Sequence, residues 1–232
     1  VELDHVVEGC AVVGGGRRPL VVAEEVGVRR ASTATIAYYA GAVSILFLLF
    51  SSLQGAPTLI EERHAGILDR IAVGSSGSDV VVLGKFLFLT VQGIIQVALI
   101  FLVAALLHDL DVARHFGAWL AITVVAAAAA AGIGLAAASA CTSKQQAQTI
   151  STFVVLVSSA LGGSMVPRFM MPPWLQDIGW YTPNAWAIEA YYGILWRDEP
   201  ARELLPELSL LGVVALLALG TSIVVSRWRL SL

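Results

Sequence analysis

The sequence predicts an all-α polytopic bundle embedded in a membrane, and three observations carry that prediction. Hydrophobic residues make up 57% of the 232 and charged residues 13%, about half the charge of an average soluble domain. Mean hydropathy is +0.80. Five apolar runs approach the roughly 20 helical residues that cross about 30 Å of hydrocarbon. The same composition excludes other classes. A net charge of -3, with no Lys/Arg cluster longer than two residues, leaves no footprint for nucleic acid. The cysteines, Cys10 and Cys141, are too few and too far apart for a disulfide scaffold or a metal site. Neither a resident cofactor nor a metal is expected on this chain.

The expected spans are residues 35–56, 80–107, 116–140, 147–163 and 208–225. Tyr38 and Tyr39 open the first, in the position of an interfacial aromatic anchor. Lys85 lies close enough to the start of the second to snorkel to headgroups. Residues 1–34 read as strand and loop, from period-two fragments around Val26 and Val28 and the Gly14-Gly15-Gly16 turn. With Val rather than Met at position 1, they are expected to be the remnant of a larger extramembrane domain. The remaining residues, 35–232, form the membrane domain. Residues 164–206 carry Pro167, Pro172, Pro173 and Pro183 with Trp174, Trp180, Trp186 and Trp196. Proline interrupts helix and indole favours the headgroup zone, so an interrupted or re-entrant helical segment at one membrane face is expected. An odd number of spans puts the termini on opposite sides. Arg17, Arg18, Arg29, Arg30, Arg114, Arg168, Arg197 and Arg202 fall on one side, and Arg63, Arg70, Lys85, Lys144, Arg227 and Arg229 on the other. That balance does not orient the chain.

Between the first two spans lies PTLIEERHAGILDRIAVGSSG, Pro57 to Gly77. Thr58 with Glu61 makes a capping box, and Ile60, His64, Ile67, Leu68 and Ile71 share one face of a helix over about 58–73. Such a helix either rests on the headgroups or projects to engage a soluble partner. Gln92 and Gln96 stack at i, i+4 inside the second span, where polar groups pair between helices or line a pathway. Glu189, among Trp186, Ala190 and Tyr191, is either a carboxylate at a pathway mouth or part of a solvated helix face. His108, Asp109 and Asp111 read as a solvated loop. Gly132 and Gly134 satisfy a loose dinucleotide-binding pattern, but inside an alanine-rich span with no preceding strand. Ala128, Gly132 and Ala136 read instead as a small-residue face for close helix approach.

The residues Glu61, Glu62, Arg63, Gly66, Leu68, Asp69 and Arg70, followed by Gly84-Lys85, resemble the segment between two spans of the permease subunits of bacterial type-2 ABC exporters. The stretch from Gly162 to Pro167, with Pro172 to Gln176 and Thr182 to Trp186, is similar to that family's extracytoplasmic motif before the last span. Ser75 and Ile67 depart from the family pattern, which often has Pro and Thr there. The resemblance covers about residues 20–230 and implies that a first span and most of an extracytoplasmic domain are missing. It also implies a multi-pass protein of the bacterial plasma membrane, with its N-terminal segment outside and its C-terminus in the cytoplasm. The seven residues of the first motif would couple to an ATP-binding cassette subunit, which would hold ATP and Mg. A second permease copy and membrane lipid would be the other partners, and export, including multidrug resistance, the activity. No G-x-x-x-x-G-K-[ST] loop is present, since Asp79 stands at the first glycine position before Gly84-Lys85. A hydrophobic or amphipathic cargo would then move on ATP hydrolysed by a separate chain. The alternatives are a non-transporting membrane anchor or assembly subunit, and an intramembrane enzyme. The enzyme lacks support, as no His or Asp lies mid-span and Ser164 has no G-x-S-x-G context.

Overall fold

The structure, a computed structural model, describes residues 18–65, 77–108 and 110–230. The helices are α1 Arg18–Gly55, α2 Thr58–His64, α3 Gly77–His108, α4 Phe116–Ala140, α5 Lys144–Gly162, α6 Pro173–Gly179, α7 Pro183–Leu195 and α8 Leu205–Leu230. Single 3-10 turns precede α4, α6 and α8, and the described residues contain no strand. The fold is an all-α polytopic membrane bundle, as the composition requires.

One local expectation is corrected. From Arg18 onward the chain is helical rather than strand and loop, and α1 continues without a break into the first span. Ala, Glu and Arg recur between positions 18 and 34, all good helix formers, and extending an existing helix avoids the cost of nucleation. Residues 1–17, read as part of an extramembrane remnant, lie outside the described residues.

Among the described residues four segments are long and apolar enough to cross a membrane: Ala34–Glu62, Asp79–His108, Ala113–Ala140 and Arg202–Trp228. The run expected at 147–163 falls on α5, which is diluted by Gln145, Gln146, Gln148, Thr149, Ser151 and Thr152. α5 nevertheless reaches from one end of the bundle to the other: Lys144 meets Glu61 just beyond the end of α1, and Gly163 meets Tyr38 near the other end of its span. Its 19 residues span about 28 Å at 1.5 Å per residue. Ser151 donates across to the Leu53 carbonyl at 3.0 Å.

α4 is the centre of the bundle, packing most extensively on α8 and also on α1 and α3. Its small side chains make this possible. A Cβ on Gly132 would sit 3.0 Å from the Ala215 carbonyl oxygen of α8, and one on Gly134 would sit 2.7 Å from the Ser52 carbonyl oxygen of α1. Glycines two positions apart point to opposite sides of a helix, so α4 is gripped from both. With no hydrophobic drive between helices in lipid, such close approach and interhelical hydrogen bonds hold the bundle. Ser139 pairs with Ser222 at 2.8 Å between α4 and α8, and Thr123 with Tyr191 at 2.9 Å between α4 and α7. By contrast α3 and α8 turn rows of Leu, Val and Phe outward, among them Leu87, Phe88, Leu106, Leu216 and Leu217.

Candidate functional site

At one end of the bundle α1 hands over to α2 through the two-residue turn Ala56-Pro57. The expected capping box is corrected here: Thr58 Oγ1 donates backward to the Gly55 carbonyl at 2.7 Å instead of capping α2. The turn explains why. The N–H groups of Leu59 and Ile60 bond the carbonyls of Ala56 and Pro57, both at 3.0 Å, while the end of α1 leaves an orphan carbonyl.

α2 does not rest on the surface. Leu59 is buried among Val82, Leu89, Ala131 and Leu135, and Ile60 against Cys141 and Ala147. Two charged contacts complete the attachment. Lys85 of α3 reaches Glu62 at 2.6 Å, and Lys144 at the start of α5 reaches Glu61 at 2.6 Å. These are the only two lysines in the chain, and they close on adjacent glutamates. Lys85 therefore points to a carboxylate rather than snorkelling unpaired. The pair is shielded, with side chains 17% and 32% exposed, whereas Lys144 and Glu61 are 45% and 51% exposed. Beside them Arg227, near the end of α8, grips both carboxylate oxygens of Asp79 at the start of α3. α2 is thereby tied to α1, α3, α4 and α5 at once.

Of the seven residues expected to couple, Glu61, Glu62 and Arg63 lie on α2, and Gly66, Leu68, Asp69 and Arg70 lie outside the described residues. The expected pathway residues do not converge. Gln92 donates to Ser51 of α1 at 3.1 Å, and Gln96, one turn on, has no hydrogen-bond partner among the described residues. Glu189 sits at the far end on α7, ion-paired to Arg197 at 2.6 Å. Arg197 also holds Glu199 at 2.5 Å. Burial opposes the charge on Arg197, but the hydrogen bonds and fields of the two carboxylates outweigh it and raise its pKa. Asp111 Oδ1 accepts from the Arg114 N–H at 3.1 Å, in the loop expected to be solvated. Among the described residues no group of three or more His, Cys, Asp or Glu is placed to hold a metal.

At that far end the Pro- and Trp-rich stretch folds into α6 and α7. Pro183 starts α7 at a position where its missing N–H costs nothing, and Tyr191 is then fully buried against Phe101 at 4.9 Å between ring centres. Tyr38, expected as an interfacial anchor, is corrected to a buried junction. Its hydroxyl donates to the Gly163 carbonyl at 2.9 Å and accepts the Arg168 N–H at 3.0 Å. Gly163, with φ +96, is the left-handed cap that ends α5. Only Tyr39 faces outward, 42% exposed. The two tyrosines are adjacent, so they project about 100° apart on the helix, and which one faces the bundle depends on neighbours the sequence does not order.

Long apolar helices held by interhelical hydrogen bonds, with charged residues paired at both ends, define a multi-pass membrane protein. The family model described as "ABC-2 family transporter protein" matches residues 24–224. The chain belongs to that family and is a membrane permease subunit of an ABC transporter. No curated protein matches the chain.

Proposed function

We propose that this permease exports a hydrophobic or amphipathic cargo, driven by ATP hydrolysed on a separate ATP-binding subunit that docks at α2 and the residues that follow it. The observation that carries this reading is the clamp on α2. A helix fastened by Leu59, Ile60 and two lysine–glutamate pairs moves with the ends of α1, α3, α4 and α5, so a displacement by a docked motor reaches four helices together. The docking face is then the side of α2 away from the bundle, with Glu61 at its edge. α5 crosses the membrane as a fifth span, screened by its contacts with α1 and α7, and the α2 end is cytoplasmic. Two copies of the permease enclose the pathway in a bacterial plasma membrane.

The test is co-purification of the ATP-binding subunit with full-length permease carrying Gly66→Leu or Leu68→Asp, together with cargo-stimulated ATP hydrolysis. Both substitutions are expected to abolish docking while the spans still insert. Docking and stimulation at wild-type levels in both variants would leave α2 as a structural element only.

A further inference from the structure

We propose that the corner between α3 and α4, at the end of the bundle remote from α2, binds a lipophilic organic cation. A cavity of about 450 Å3 opens there, lined by Phe101, Leu110, Asp111, Phe116 and Trp119 among others. That is within the usual range of small-molecule pockets. Three of these residues are aromatic: Phe116 offers a 56% exposed ring stacked at 5.7 Å on Trp119, which Phe101 meets edge-on at 5.8 Å, and these two rings, 5% and 2% exposed, back it from the core. The open ring of Phe116 attracts a cation that has shed its water, and it equally accepts the apolar body that carries it.

The charge at the cavity selects the sign of the ligand. Asp111 is exposed, and among the described residues no cation is paired with it; its one described bond is the N–H of Arg114 to Oδ1. The neighbouring basic side chains are engaged elsewhere. Arg114 Nη2 lies 2.9 Å from Asp198 Oδ2 and His115 Nε2 lies 2.7 Å from Asp198 Oδ1. A carboxylate at the rim of an aromatic cavity favours an ammonium or phosphonium ion with apolar substituents over a neutral or anionic molecule of the same shape. As a cargo site the cavity rests on the export reading; as a binding site it does not.

Tetraphenylphosphonium and tetraphenylborate share size and shape but differ in sign, and they form the test. Equilibrium dialysis of each against the purified full-length permease, in an uncharged maltoside detergent and without any ATP-binding subunit, should show saturable binding of the cation only. Asp111→Asn keeps an acceptor for the Arg114 N–H and should weaken the cation about tenfold; Phe116→Ala, at a 56% exposed ring, should weaken it as well. Asp111→Glu should restore binding. Equal binding of the two ions, or cation binding unchanged in Asp111→Asn, overturns the proposal. Because no ATP-binding subunit is present, that failure is separate from a failure of docking at α2.

Discussion

Lys85 Nζ and Glu62 Oε1 lie 2.6 Å apart, joining the long α3 to the seven-residue α2 beside the buried Leu59. The pair sits 23 residues apart in sequence, across a connection whose middle lies outside the described residues. Its partial burial sets it apart from the neighbouring Lys144–Glu61 pair, which has the same length but is half exposed.

That difference predicts unequal coupling energies. In double-mutant cycles with Lys→Met and Glu→Gln, the Lys85–Glu62 pair should show about 1–2 kcal/mol and the Lys144–Glu61 pair less than about 0.5 kcal/mol at moderate salt. Thermal unfolding in detergent measures both. Equal values for the two pairs would mean that burial does not distinguish them.

Gly134 and Gly84 provide a second contrast. A Cβ at Gly134 meets backbone of α1, which cannot yield like a flexible side chain, while one at Gly84 meets nothing within 4 Å. Gly134→Ala should lower the unfolding temperature, at a cost of about 1–3 kcal/mol for overpacking. Gly84→Ala should be neutral or raise it, since alanine favours helix by about 1 kcal/mol. The opposite order would remove Gly134 from the α1–α4 contact.

Tyr38→Phe keeps the ring and deletes one hydroxyl. The Gly163 carbonyl and the Arg168 N–H then lose a buried partner each, which should cost about 1–3 kcal/mol. Limited proteolysis should cut the 163–172 segment faster in the variant. Unchanged stability and cleavage would show that this junction is carried by packing alone.

Orientation follows from thiol accessibility. Native Cys141 is 2% exposed and should react with maleimide only after unfolding. In a background of Cys10→Ser and Cys141→Ala, Tyr181→Cys, at an 86% exposed position, should be labelled by a membrane-impermeant maleimide on intact cells. Gln145→Cys, exposed beside the α2 end, should react only in opened cells. Labelling with these two positions interchanged would invert the proposed topology and place α2 outside the cell.

The class of this protein was legible in its composition because the demand comes from the solvent: in hydrocarbon every backbone polar group must be satisfied within its own segment, so long apolar runs become helices whatever their neighbours. The small-residue face of α4 was legible for a similar reason, since Ala and Gly at a helical spacing have little use except close approach. Pairing was not. Nothing in the order of residues says that Lys85 meets Glu62 and Lys144 meets Glu61, that Thr58 bonds back to Gly55, or that Tyr38 turns inward while Tyr39 turns out. Each of these depends on how helices distant in sequence are rotated about their axes, and a helix that is apolar on all sides carries no periodic signal to set that rotation. Only the tertiary contacts decide it, through the glycines that grip α4 and the few charges and hydroxyls that must find partners in a medium offering none.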